Sequence, residues 1–263
     1  MSTVLATDRA LGPAPLTRNT FWMPVLTLWQ RELVRFWRQK SRVLGVVASP
    51  LVFWLLIGYG SGDLGRYYTG ALVLTVMFSA VFSTISIIED RREGFLLSML
   101  VSPAPRTSMV LGKILGSATL AWVQGLIFLC FAPLAGVRFS PGRLGPIAGA
   151  VFLVAFTLTG MGFIIAWQME SSSGFHAIMN LLLVPMWMVS GSLFPMATAH
   201  GWIRAIMWIN PMTYSIALLN GLLGLGGGAP GILASLAVTA GAGLALLVAC
   251  GWLAARRTNF SAA

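Results

Sequence analysis

The chain has 263 residues, of which 57% are hydrophobic and only 9% are charged, and its mean hydropathy is +0.83. Soluble globular domains carry roughly 25% charged residues, so this composition excludes a water-soluble fold and predicts a polytopic membrane protein. The net charge of +10 does not indicate nucleic-acid binding, because the basic residues cluster at the ends of apolar stretches. Those stretches are continuous and lack the alternation of barrel strands, which favours an all-α fold.

The first 42 residues are predicted to form a tail and an amphipathic helix. Residues 1–20 are polar and lack the apolar core of a signal peptide, so we expect a flexible tail. In 21–42, arginines recur on one helical face and apolar side chains on the roughly opposite face. This pattern is typical of a helix in the membrane interface, with tryptophans at the acyl boundary and arginines among lipid phosphates. The residues of the two faces are Trp22, Leu26, Trp29, Leu33, Trp37, and Arg31, Arg35, Arg38, Arg42.

Six apolar stretches are long enough to cross a bilayer, since eighteen helical residues cover about 27 Å. Pro50 is expected to kink the first span rather than end it. Gly112-x-x-x-Gly116 and Gly145-x-x-x-Gly149 permit close helix contact, although a chain with 29 glycines contains such pairs by chance. The transmembrane domain therefore covers 43–263, with spans at 43–60, 67–88, 114–137, 144–169, 175–193 and 231–255.

Residues 206–225 are also apolar, but the positive-inside rule argues against a seventh span. A seventh crossing would move Arg256 and Arg257 away from the other basic residues. Asn210-Pro211 also interrupts the stretch, where a helix through lipid would leave backbone groups unpaired. We therefore predict a re-entrant or interfacial hairpin on the outer side at 194–220, and both termini in the cytoplasm. Of the 17 basic residues, four then lie outside: Arg66, Arg138, Arg143 and Arg204.

The longest charged interruption of the apolar sequence is 89–113. Five charged residues, 89–93, precede a short amphipathic run at 94–101, which a Pro-x-Pro sequence closes. A simple reversal of the chain needs only about four or five residues. The extra length predicts a cytoplasmic loop with a short helix of its own and a role outside the bilayer.

Charged residues are not predicted deep within any span, which argues against ion- or proton-coupled transport. A pathway, if the protein has one, is then apolar, with walls from the second and fifth spans. Ordinary packing or lipid contact is the alternative role for these side chains. The candidate pathway residues are Met77, Phe78, Phe82, Asn180, Met186 and Met188.

Catalytic and metal-binding residues are not predicted. Ser171 to Ser173 lie at a membrane edge within a few residues of His176, whereas an intramembrane serine protease needs a nucleophile and a base that converge at depth. Metal-ligand spacing is missing, and Gly112-Lys113 lacks the upstream glycine of a phosphate-binding loop.

Two motifs carry a resemblance to a known family. Glu89-x-x-Arg92-Glu93-Gly94, followed by Leu96-Leu97, Ser102-Pro103, Arg106 and Gly112-Lys113, resembles the cytoplasmic loop of ABC-2-type transporter permeases. The second motif, which is similar to the outer hairpin of that family, consists of Ser190-Gly191-x-x-Phe194-Pro195, Trp202 and Asn210-Pro211-x-Thr213-Tyr214. Together with the amphipathic helix and the six spans, these motifs extend the resemblance over nearly the whole chain. Within the family, the chain resembles the short bacterial permeases of the daunorubicin-resistance and nodulation-factor export type.

This resemblance implies a mechanism. Two permeases pair as a homodimer or with a close paralogue, and each docks on a separate ATP-binding subunit that binds ATP and Mg. Residues 94–101 form the coupling helix, with Phe95, Leu97 and Leu100 as anchors. The coupling residues are Glu89, Arg91, Arg92, Glu93, Gly94, Phe95, Leu97, Leu100, Pro103 and Arg106. The outer-hairpin residues are Phe194, Pro195, Asn210, Pro211 and Tyr214, and Asn220 stands where relatives often have a basic residue.

The resemblance thus implies a non-catalytic subunit of an exporter in the bacterial inner membrane. Its substrate would be hydrophobic or amphipathic: a drug, a lipid or a lipid-linked glycan. The alternative is a non-transport membrane scaffold or an intramembrane enzyme. The cytoplasmic loop discriminates between these functions, because a scaffold or protease has no need of a charged, proline-closed amphipathic helix there.

Overall fold

The structure is a computed structural model that describes residues 21–38, 40–101, 104–138, 140–226 and 230–256. These residues form helices and contain no strand, which confirms the predicted all-α fold class. Six helices are long and apolar enough to cross a membrane, as predicted. The α-helices are α1 (Trp22–Trp37), α2 (Lys40–Ser61), α3 (Leu64–Arg92), α4 (Phe95–Val101), α5 (Arg106–Leu129), α6 (Pro141–Gln168), α7 (Ser172–Trp187), α8 (Gly201–Ile209), α9 (Pro211–Leu223) and α10 (Ile232–Arg256).

Helix α3 forms the centre of the molecule. In its most apolar stretch of 18 residues, 89% are buried. The corresponding shares are 22% for α2, 28% for α7 and 17% for α10. At its first turns, Trp54 of α2 packs edge-on against Tyr68, with ring centroids 5.4 Å apart. The Tyr68 hydroxyl donates to the carbonyl of Phe128 at the end of α5 (3.2 Å). The poorly buried helices α2, α7 and α10 therefore surround a core built on α3, α5 and α6.

Helix α1 packs against α5 through the first of the two glycine pairs. A Cβ on Gly112 would lie 2.9 Å from the carbonyl oxygen of Val25, and one on Gly116 would lie 2.8 Å from Cβ of Glu32. The backbones of α1 and α5 approach this closely only because both residues lack a side chain. Nothing lies within 4 Å of the Cβ positions of Gly145 and Gly149, so the second pair supports no contact within this chain.

Helix α7 is followed by a π-helical turn, Met188–Ser192, which contains Ser190 and Gly191 of the second motif. The Ser190 and Ser192 hydroxyls both donate to the carbonyl of Trp187, and Gly191 has a φ of 93°. This positive φ is accessible to glycine at little cost. The indole of Trp187 donates to the carbonyl of Gly70 (2.8 Å), so the turn is attached to α3.

The predicted interruption at Asn210-Pro211 is present, and α8 and α9 meet there at an angle of 86°. The Asn210 side chain accepts from the amide of Met212 (3.0 Å) as the N-cap of α9, and it donates to the carbonyl of Met186 (2.6 Å). The Tyr214 hydroxyl donates to the carbonyl of Trp208 (2.9 Å) and links the two helices. Hydrogen bonds from the motif residues thus stabilise the bend.

The helices that flank the charged loop are longer than the predicted spans. Helix α3 continues to Arg92, and α5 already begins at Arg106, so only 93–105 lie between them. The guanidinium of Arg106 donates to the carbonyl of Ala255 (3.0 Å), which places the end of α10 beside the start of α5. Helices α1, α4 and the end of α10 consequently lie at one end of the molecule, and the α8–α9 hairpin lies at the other.

We expect Gly116→Ala to destabilise the protein by about 1–3 kcal/mol, because the added methyl group overlaps with Glu32. The measurement is denaturant or thermal unfolding in detergent. Gly149→Ala is the matched control, since the same methyl group meets open space there. Equal effects of the two substitutions would contradict the close α1–α5 contact.

Single cysteines introduced at Thr198 and Ser98, both exposed, should react with impermeant thiol reagents from opposite sides of the membrane. The background replaces Cys130, which is exposed, and Cys250 with serine. The measurement is labelling of intact cells and of inverted vesicles. Labelling of both positions from the same side would overturn the six-span topology.

Candidate functional site

A cluster of buried charges lies where α1, α3 and α5 meet, next to α4. Lys113 of α5 donates to Glu32 Oε1 of α1 (2.7 Å), to Asp90 of α3 and to the Ser86 hydroxyl (3.3 Å). Their exposed fractions are only 4% for Lys113, 3% for Glu32 and 0% for Asp90. One ammonium group therefore links three helices away from water.

Two arginines of α1 complete this cluster. Arg31 binds Asp90 with both terminal nitrogens (3.1 and 2.9 Å), and Arg35 binds Asp90 Oδ1 (2.9 Å) and Glu89 Oε2 (2.6 Å). Burial alone lowers the pKa of the Arg31 guanidinium, but the hydrogen bonds and charge of Asp90 outweigh it and raise that pKa above its ordinary value. The prediction that Arg31 and Arg35 lie among lipid phosphates is therefore wrong. We define the ion cluster as Arg31, Glu32, Arg35, Glu89, Asp90 and Lys113.

The ion cluster contains three cations and three carboxylates, so it is neutral as a unit. Charges in an apolar interior are tolerated when they are paired and hydrogen-bonded. Sequence reasoning missed Glu32, Asp90 and Lys113 as site residues. A signal for Glu32 was present, because Leu28, Glu32 and Phe36 are spaced as one buried helical face.

Helix α4 lies directly on the ion cluster. Gly94 has a φ of 74°, which separates α4 from α3. The Arg31 guanidinium lies 3.7 Å from the centroid of the Phe95 ring, so Phe95 faces its own protomer. The inward face of α4 also contains Leu96 and Met99, which are buried.

The outward face of α4 contains Leu97, which is 50% exposed. Phe95 is thus not the free anchor that the motif implied, whereas Leu97 is available for contact. The Leu100 side chain and Pro103 lie outside the described residues. Arg92 and Glu93 are exposed, and Glu93 is also within 3.7 Å of Arg35.

Two of the predicted coupling residues, both arginines, bind the carboxyl ends of other helices. Arg91 donates to the carbonyls of Trp167 (2.6 Å) and Met169 (2.9 Å) at the end of α6. Arg106 donates to the carbonyl of Ala255 at the end of α10. Cations are favourable there because the last carbonyls of a helix lack partners and its dipole is negative. Arg91 and Arg106 thus have structural roles within the protomer.

The apolar face of α1 remains largely free. Trp22 and Trp37 are exposed, and Trp29 is partly covered because its indole donates to the Thr119 hydroxyl (3.1 Å). Arg38 is exposed, and the Arg42 side chain lies outside the described residues. The exposed tryptophans are those that the sequence assigns to the membrane interface, and this placement stays a prediction.

The candidate pathway residues do not form one surface. Met77 is fully buried in the core, so it does not lie at the surface of this protomer. Phe78 and Phe82 stack with centroids 5.5 Å apart, and the Phe82 ring lies 5.2 Å from that of His176. Asn180 and Met188 are exposed on or just after α7, and Met186 is half-buried.

The residues considered for catalysis have structural contacts. The Ser171 hydroxyl accepts from the amide of Gly174 (3.1 Å) as the N-cap of α7, while His176 packs against Phe82. Within the described ranges there is no group of three or more His, Cys, Asp or Glu side chains with the geometry of a metal site.

The outer-hairpin residues border a cavity at the opposite end from the ion cluster. Phe194 and Pro195 line it, together with the first turn of α3 and the inner side of α9. Asn210, Pro211 and Tyr214 shape the hairpin behind it. Asn220 also lines this cavity, and its backbone carbonyl accepts from the amide of Leu225 (3.0 Å).

Comparisons with known proteins agree with this architecture. The family model of the ABC-2 type transporter matches residues 23–223. The chain is 25% identical over 231 residues to the daunorubicin resistance ABC transporter permease protein DrrB1 of Streptomyces coeruleorubidus, covering 80% of this chain and 78% of that protein. It is 23% identical to nodulation protein J of Sinorhizobium fredii (74% and 79% covered) and 26% identical to the linearmycin resistance permease protein LnrN of Bacillus subtilis (72% and 51% covered).

The family match extends from the start of α1 to the end of α9 and includes the ion cluster, α4 and the outer hairpin. The relatives are named as transporter permeases or as a nodulation protein, and six helices of this chain are suited to crossing a membrane. The chain is therefore a multi-pass membrane permease that belongs to the ABC-2 type transporter family.

Proposed function

We propose that the chain is the transmembrane subunit of an ATP-driven exporter in a bacterial cytoplasmic membrane, with both termini in the cytoplasm. Two copies, or one copy and a close paralogue, assemble with two separate ATP-binding subunits that hold ATP and Mg. The single observation that carries this proposal is the seating of α4: its inner face lies on the ion cluster, and its outer face presents Leu97. An exposed leucine beside polar residues is suited to an apolar groove on a partner.

The contacts of α4 suggest how movement of the ATP-binding subunit reaches the membrane spans. A push on α4 acts through Phe95 on Arg31, and Arg31 is bound to Asp90. Asp90 also binds Lys113, so α1, α3 and α5 receive the displacement together. Discrete rigid-body movements of this kind convert local contacts into a change of access.

The exposed face of α7 supports the pairing of two permeases. Leu181 is 79% exposed, and Ile178 and Leu182 are also exposed on this short helix. Asn180 and Met188 lie on the same exposed part of the chain. A second copy that covers this face would place these side chains at a central pathway between the protomers.

The apolar character of the exposed α7 residues favours a hydrophobic or amphipathic substrate. The relatives DrrB1 and LnrN are named for resistance to daunorubicin and linearmycin, and the third is named a nodulation protein. A drug, a lipid and a lipid-linked glycan all share an apolar part that can follow such a surface. We propose that transport is directed outward, because DrrB1 and LnrN are named for drug resistance.

Leu97→Asp should abolish co-purification of the ATP-binding subunit and substrate-stimulated ATP hydrolysis, because a carboxylate in an apolar groove loses its hydration. The measurement is mass spectrometry and ATPase assay of the complex purified in mild detergent from cells that express the neighbouring genes. Leu134→Asp is the matched control, since Leu134 is also exposed (63%) but lies at the other end of the molecule. A wild-type chain that purifies alone would instead favour a scaffold.

Lys113→Met should destabilise the protein by about 3 kcal/mol, because it leaves buried Glu32 without its cation. It should also uncouple ATP hydrolysis from transport. The double variant Glu32→Gln/Lys113→Met should recover much of the stability, since it removes both charges. Unfolding midpoints and transport assays test this, with exposed Arg38→Gln as the control. Strictly additive losses in the double variant would rule out a buried pair.

A further inference from the structure

The end of the molecule that carries the hairpin contains a cavity of about 900 Å³. It is bounded by the start of α3, the π-helical turn after α7, the α8–α9 hairpin and the inner side of α9. Pockets for small molecules measure about 300–1,000 Å³, so this volume accommodates more than an inorganic ion. Phe194 and Pro195 of the outer-hairpin motif line this cavity, but the sequence did not predict a cavity there, because its walls come from segments that are separate in the chain.

The wall of the cavity is apolar on one side. Met207 and Trp208 of α8 line it, as does Ile216 of α9. Thr213 lines it as well, and its buried hydroxyl has no hydrogen-bond partner among the described residues. An apolar wall with a few polar groups is the usual composition of a site that orients a ligand.

Two arginines give the cavity an excess of positive charge. One terminal nitrogen of Arg204 donates to the carbonyls of Ala197 (3.1 Å) and Ala199 (3.3 Å), which hold the side chain in place without neutralising it. Within the part of the chain that the structure describes, neither Arg204 nor Arg66 forms an ion pair with a carboxylate. The one acidic lining residue, Asp63, instead accepts from the backbone amide of Arg66 as the N-cap of α3 (3.0 Å).

The position of these cations is unusual for a membrane protein. Basic residues are disfavoured on the outer side, and among the described residues four arginines, Arg66, Arg138, Arg143 and Arg204, lie at this end. Arg66 and Arg204 line the cavity, and Arg143 lies beside Gly224 at its border, with Nη1 3.9 Å from the position of an added Cβ. Unneutralised guanidinium groups at an apolar wall are suited to an anionic group attached to an apolar body.

We propose that this cavity binds an amphipathic anion, whose phosphate, sulfate or carboxylate group is held by Arg204 and Arg66 and whose apolar part lies along Met207 and Trp208. The proposal rests on the proposed function only for the outward orientation of the cavity. A membrane lipid and an exported molecule both meet this chemical description.

The test is native mass spectrometry of the full-length chain in detergent with dioleoyl phosphatidylglycerol as the probe. The chain should retain this lipid at least about tenfold more tightly than dioleoyl phosphatidylcholine, which has the same acyl chains and no net charge. Arg204→Gln and Arg66→Gln should each weaken phosphatidylglycerol binding by about tenfold, the loss of one charge-assisted contact. Arg138→Gln is the control, because Arg138 is exposed at the same end and does not line the cavity.

Each outcome decides the proposal. Selective loss in the two cavity variants supports it, provided that their unfolding midpoints match the wild type. Equal retention of the two lipids, or equal weakening by Arg138→Gln, overturns it. Competition by glycerol phosphate at the affinity of the whole lipid would show a site for a free phosphate group and would overturn the amphipathic ligand. The assay contains no ATP-binding subunit, so its failure is distinguishable from failure of the proposed function.

Discussion

The ammonium group of Lys113, held between Glu32 and Asp90, is the interaction on which the arrangement of this protein depends most. A single charge buried at this position would be prohibitively unfavourable, and each of the three is tolerated only because the other two are present. The ion cluster thus fixes where α1 lies on α5, and Gly112 and Gly116 provide the room for that approach. Because Arg31 belongs to the same cluster and covers Phe95, the position of α4 follows from it too.

The opposite end of the molecule is organised by neutral hydrogen bonds. Asn210 and Trp187 each donate a side-chain N–H to a backbone carbonyl of another element, and Ser192 closes the turn after α7. Hydrogen bonds of this type contribute roughly 0.5–1.5 kcal/mol each, less than a buried ion pair loses when one partner is removed. The end that holds the ion cluster is consequently expected to move as a unit, while the hairpin end has more freedom to rearrange around its cavity.

Hydropathy and the distribution of basic residues were sufficient to predict six spans, and Asn210-Pro211 was sufficient to predict the bend between α8 and α9. The ion cluster could not be predicted in this way. Helical spacing shows that Arg31 and Arg35 share a face of α1, but it does not show which side chains of other helices that face contacts. Likewise, Phe95 and Leu97 have similar hydrophobicity, so the sequence does not distinguish them. Tertiary packing places Phe95 against Arg31 and leaves Leu97 exposed. The two glycine pairs make the same point: their sequence patterns are identical, but only Gly112 and Gly116 have a helix against them.

Helix α3 is long enough to connect the ion cluster with the cavity at the hairpin end. This helix has 29 residues and spans about 43 Å at 1.5 Å per residue, with Asp90 near one end and Arg66 near the other. The middle of α3 is held by the buried core, so a rigid tilt of the helix pivots there. A rigid tilt of about 5° around that middle moves each end by about 2 Å, in opposite directions. A shift of about 2 Å takes a hydrogen bond of about 2.9 Å out of range, so a slight rotation at the end that holds the ion cluster is enough to make or release a contact of Arg66 at the opposite end.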